Sequence, residues 1–169
     1  GKDYVGYALK SIYDKVDKLI ISYTDRPSHG THTDVLCPES KEQIKEAVYQ
    51  FGDPDKKIVW YEGVYNNETE HRNFMEQMCW EQGADQVLIL DADEIWPDEY
   101  FKACFNRLLE TESRILCVQM WHLFRSFDWF CTEPCSPKRI LNKHGKDKTE
   151  YIGHPPDNSP SILHFGYAQ

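Results

Sequence analysis

Asp91 and Asp93 stand two residues apart, with Glu94 beside them, at the end of the apolar run Val87-Leu-Ile-Leu90. Two carboxylates this close repel unless a cation or a proton lies between them. Oxygen donors of this kind suit Mg²⁺ or Mn²⁺, which are commonly held by one or two carboxylates and completed by substrate phosphates. The same acids would also suit the opening of a helix, whose N-terminus favours negative charge. Four apolar residues in a row fit a strand buried on both faces, the usual state in a parallel sheet covered by helices. Ligands of such sheets bind beyond the carboxyl ends of the strands, which is where Asp91 and Asp93 would emerge.

Helices and strands alternate around this segment. Val5, Ala8, Leu9, Ile12 and Val16 recur at helical spacing, and residues 18–23 follow as a strand. Thr24 to Asp34 has the composition of a loop. Ser40 and Gln43 form a capping-box pattern ahead of Ile44, Ala47, Val48 and Phe51, and Gly52-Asp-Pro54 ends that helix before a strand at 57–61. Asn67 and Glu70 repeat the capping pattern, with His71, Phe74, Met75, Met78 and Cys79 along one face up to Gly83. A strand at 86–90, a helix opened by Pro97 with Phe101, Cys104, Phe105 and Leu108 inward, and a strand at 114–120 come next. Short strands are expected near 138–141 and 161–164. The alternation predicts a three-layer α/β fold in a single domain spanning residues 1–169.

A formal net charge of −9 opposes nucleic-acid binding, because no basic stripe is present to displace counterions. Lys56-Lys57 and the interrupted cluster from Lys138 to Lys148 read as solvated surface. No stretch is apolar for long enough to span a bilayer. Among six cysteines, Cys79, Cys104 and Cys117 fall on apolar faces, and Cys131 and Cys135 form the only close pair, open to a disulfide or half a zinc site. Free thiols in the cytoplasm are the expectation.

His71-Arg72-Asn73, the helix behind it, Gly83-Ala84-Asp85 and Val87-Leu-Ile-Leu-Asp-Ala-Asp-Glu94 together resemble the central block of GT-A glycosyltransferases, particularly family-2-like ones. Tyr7 to Ile12 with Asp17 to Ile21 looks like that family's first helix and second strand, and Leu163-His-Phe-Gly-Tyr-Ala168 is similar to its C-terminal stretch. On this likeness the family's opening strand is missing and the domain is N-terminally incomplete. The resemblance implies a three-layer α/β/α, Rossmann-like fold with a mostly parallel sheet. It also implies transfer of a sugar from a nucleotide-diphosphate donor to a glycan, lipid or protein acceptor, aided by Mn²⁺ or Mg²⁺.

Asp91, Asp93 and His164 are then the expected metal ligands, with His164 equally readable as a packed histidine. Asp91, Asp25 and Arg72 are expected to contact the donor, although Arg72 is also spaced for a helical ion pair with Glu68 or Glu76. Trp129 is expected to stack on a sugar, while Trp121 reads as core. An inverting enzyme needs a carboxylate to deprotonate the incoming hydroxyl, and Asp128 and Glu94 are the candidates. Two other readings remain open: a degenerate sugar- or nucleotide-binding domain of the same fold, and a phosphatase of the haloacid dehalogenase type, whose nucleophile strand also ends in Asp-x-Asp.

Overall fold

The structure, a computed structural model, describes residues 2–26, 37–124, 130–132, 136–155 and 160–167. Contacts divide the chain into two compact units, residues 1–84 and 85–169.

In the first unit, α1 (Lys2–Ile12) buries the expected stripe of Val5, Ala8, Leu9 and Ile12. It ends in a 3₁₀ turn, Tyr13–Lys15. β1 (Leu19–Tyr23) and β2 (Ile58–Glu62) pair in parallel, from Leu19 opposite Ile58 to Tyr23 opposite Glu62. Between them, α2 (Lys41–Tyr49) opens with the full capping box: Ser40 accepts from the Gln43 amide, and Gln43 returns a bond to the Ser40 amide. α3 (Glu68–Glu81) is capped by Asn67, whose side chain accepts from the Glu70 amide at 2.9 Å. Glu70 completes a different loop from the expected one, taking the Asn66 amide at 3.0 Å and leaving that of Asn67. Gly52 and Gly83, at φ 89° and 85°, provide the left-handed residues that end the two helices. The aligned face of α3 is half-buried and contains no fully buried residue.

The second unit holds β3 (Gln86–Leu88), β4 (Glu94–Ile95), α4 (Asp98–Thr111), β5 (Ser113–Val118), β6 (Met120–Phe124), β7 (Phe130–Thr132), β8 (Lys138–Asn142), β9 (Lys146–Ile152) and β10 (Ile162–Tyr167). They form two four-stranded sheets, in the orders β3-β8-β5-β9 and β4-β10-β6-β7. The core gathers Trp96, Leu108, Leu116, Val118, Ile140 and Ile162, each almost wholly enclosed. The single strand expected at 114–120 is two strands in different sheets, divided at Gln119. There the chain is held by Gln119 N to Ile152 O at 3.0 Å and by the Tyr100 hydroxyl on Gln119 O at 3.2 Å.

The chain is mixed α/β with four α-helices among the described residues. The pairings differ from a mostly parallel sheet. β1–β2, β5–β9 and β6–β10 are parallel, whereas β3–β8, β5–β8, β4–β10 and β6–β7 are antiparallel. The apolar run 87–90 accordingly does not read as a strand buried on both faces: Val87 is buried and Leu88, Ile89 and Leu90 are half-buried. Among the described residues, no helix is long and apolar enough to cross a membrane.

The turn between β8 and β9 lies directly on β5. A Cβ placed on Gly145 would meet Ser113 O at 2.4 Å and Arg114 N at 2.6 Å, both backbone atoms that cannot swing aside. Gly145→Ala is expected to cost about 1–3 kcal/mol, the usual range for overpacking, read from the urea unfolding midpoint. An unchanged midpoint would show that the turn is free to lift from β5.

Candidate functional site

The acidic turn is built on the partner that β3 acquires. β8 runs antiparallel to β3 with Leu88 opposite Ile140, and Ile89 N donates to Arg139 O at 2.7 Å. Arg139 therefore lies alongside the tip of the apolar run. Its side chain is only 6% exposed, and Nη2 donates to Asp91 Oδ2 at 2.7 Å and also to Glu94 Oε1. The turn closes on itself as well: Glu94 N donates to Asp91 O at 3.1 Å, and Asp91 N to Glu94 Oε2 at 3.2 Å.

Glu94 is completely buried. Burial pushes its carboxyl up to about 7, against the opposing pull of the Arg139 guanidinium, while the neighbouring Asp91 charge pushes it further up. A group that deprotonates an incoming hydroxyl must reach it. Glu94 is enclosed and accepts from Arg139 and from the Asp91 amide, so it stands as an internal acceptor and not on an accessible face.

Asp93 points another way. Its side chain is 32% exposed, and Oδ2 lies 3.7 Å from His164 Nε2. β10 brings His164 there by pairing on both sides, opposite Glu94 of β4 and opposite His122 of β6. Phe165 N donates to Asp93 O at 2.9 Å, tying the turn to β10. Behind His164, Nδ1 faces His122 Nδ1 at 3.2 Å, with the rings nearly edge to face at 65°.

The remaining sequence candidates are dispersed. Asp25, exposed just past β1, and Arg72, on α3, belong to the first unit. Arg72 Nε donates to Glu68 Oε1 at 2.7 Å, which is the helical ion pair foreseen as its alternative role. Asp128 and Trp129 lie outside the described residues, as does Cys135. Trp121 is half-buried, with its ring 6.0 Å from that of His154. At the end of β1, Ser22 Oγ meets the Tyr65 hydroxyl at 2.8 Å and His71 Nε2 at 3.0 Å, with Tyr65 stacked on the His71 ring. Burial lowers the pKa of His71 from its usual value.

Arg139 and His122 were not visible as site residues in the sequence. Arg139 sits in the Lys138–Lys148 cluster, and its assignment to solvated surface is corrected by its burial. The available signal was its place in the strand expected at 138–141, beside the apolar pair Ile140-Leu141. His122 is hidden among aromatic neighbours.

The cation implied by the Asp91–Asp93 spacing is met in part by Arg139, which compensates Asp91 directly. Among the described residues no group of three or more His, Cys, Asp or Glu side chains is arranged to hold a metal by itself. Asp93 and His164 nevertheless make a compatible pair: one carboxylate oxygen and one imidazole nitrogen, partly exposed, with the rest left to phosphates and water in the manner of Mg²⁺ and Mn²⁺ sites. No protein-family model matches the chain. No curated protein matches it either.

Arg139→Met would strand two carboxylates, one of them wholly buried. The expected loss is about 3–5 kcal/mol of unfolding free energy, the range for removing one partner of a buried pair. A loss under about 1 kcal/mol would mean that the guanidinium does not hold the turn. The pH dependence has a definite sign. Glu94 binds its proton more tightly folded than unfolded, so its contribution is complete below the ordinary carboxylate range and fades as pH rises towards about 7. Stability measured from pH 5 to 7 should fall less steeply in Glu94→Gln than in the unaltered protein, and parallel curves would refute this.

Proposed function

We propose that this chain is a metal-dependent glycosyltransferase domain of the GT-A type, with that family's three-layer Rossmann-like arrangement. It moves a sugar from a nucleotide-diphosphate donor to the hydroxyl of a glycan, lipid or protein acceptor. The observation that carries the reading is the meeting of Asp93 and His164 at 3.7 Å. Both residues were singled out as metal ligands by the family resemblance, from segments about seventy residues apart within the second unit. A divalent cation bound there supplies positive charge to the diphosphate as it departs. The protein's own part is to hold Asp93 and His164 in place, through the Arg139 clasp on one side and the β10 ladder on the other. Free thiols at Cys37, Cys79, Cys104 and Cys117 support a cytoplasmic setting.

One observation favours a second reading, a degenerate sugar- or nucleotide-binding domain. Arg139 takes up an oxygen of Asp91, a residue that the transferase reading would give to the metal and donor. Titration calorimetry with UDP and GDP, with and without Mn²⁺, tests the site. Binding should require Mn²⁺ and be lost in Asp93→Ala with helical content unchanged. Equal affinity in that variant would remove the assignment. Any measurable sugar transfer or donor hydrolysis would exclude the degenerate domain.

A further inference from the structure

We propose that His122 is a positioning residue: it fixes which ring nitrogen of His164 faces Asp93, and so prepares that pair to take a divalent cation. The inference rests on the reading of Asp93 and His164 as metal ligands. The two Nδ1 atoms face each other at 3.2 Å. Two neutral imidazole nitrogens at that distance need one proton between them, so one ring must donate and the other accept.

If His164 donates from Nδ1, its Nε2 presents a bare lone pair towards Asp93 Oδ2, 3.7 Å away. A lone pair and a carboxylate oxygen turned towards each other form a donor pair for a metal ion. The opposite tautomer would place an N–H there, which the Asp93 carboxylate attracts when no cation is present but which leaves no lone pair for a metal ion. Histidines that bind metals generally donate their second N–H to a fixed acceptor, which sets the tautomer and makes the ligating nitrogen more basic. His122 is suited to be that acceptor. It is 9% exposed, sits directly opposite His164 across the β6–β10 ladder, and its ring meets that of His164 nearly edge to face.

Two measurements test this. In long-range ¹H–¹⁵N spectra of the Mg²⁺-loaded protein labelled at histidine, His164 should be protonated at Nδ1 and carry no proton at Nε2. The reverse pattern would overturn the proposal. In Mn²⁺ titrations followed by electron paramagnetic resonance, His122→Leu should weaken binding ten- to a hundredfold, about the range for outer-shell partners of metal ligands. His122→Asn, whose amide oxygen can take the place of Nδ1, should recover most of that loss. Unaltered Mn²⁺ affinity in His122→Leu, with binding still abolished by Asp93→Ala, would refute the role of His122 and leave the metal site standing. Absence of Mn²⁺ binding in the unaltered protein would overturn both.

Discussion

The guanidinium of Arg139 is the constraint around which the second unit's acidic turn is organised. Removing an arginine from water is expensive, and the interior tolerates it only where carboxylates meet it in good geometry. Asp91 and Glu94 both accept from Nη2 of Arg139, from the two ends of a four-residue turn that is also closed through its backbone, while Nε stays buried without a partner among the described residues. Ion pairs of this kind often add little net stability compared with an apolar replacement. Their effect is to single out one arrangement, since any other leaves a charge buried without a partner. The clasp therefore dictates the path of the turn, and with it the direction of Asp93, which lies between the two held residues and takes no part in holding Arg139.

The second support is the central position of β10. Flanked by β4 on one side and β6 on the other, it ties the acidic turn to the segment carrying His122. Residues directly opposite in neighbouring strands share a face of the sheet. Glu94, His164 and His122 thus lie in one row across three strands, with Phe165 N fastening the turn to the row. Side chains from three stretches of chain are brought together by ladder hydrogen bonds.

Much of the local structure could be read from the sequence because it depends on neighbours in the chain. The Ser40 cap, the stripe of α1 and the glycine stops at 52 and 83 are of this kind. What depends on pairing across sequence could not. β9, Lys-Asp-Lys-Thr-Glu-Tyr-Ile, carries no apolar alternation, because it is an edge strand of its sheet and faces water along most of its length. Charged edges of this sort deter association with other strands, and they look like loop to any reading by periodicity. Arg139 was obscured for a related reason: a basic residue among lysines looks solvated until the pairing of its strand, with β3 on one side and β5 on the other, is known. For the site, Asp93 and His164 were accessible through their motifs, whereas the residues that hold them in place were not.

The clasp also changes what an Asp-x-Asp motif can mean here. The spacing argues for a cation between two aspartates, on the premise that both charges are otherwise unbalanced. In this fold Asp91 already has its cation, so the uncompensated charge of the turn rests chiefly on Asp93. An incoming divalent ion would, if the site is the one proposed, be drawn to that charge and away from the guanidinium, and would meet the imidazole of His164 there. On the proposed reading, the metal would sit between an aspartate and a histidine, and Asp91 would act as the anchor that keeps its neighbour aimed. The same residue pattern would then deliver the motif's chemistry with its labour divided, one acid binding the protein to itself and the other left to bind the ion.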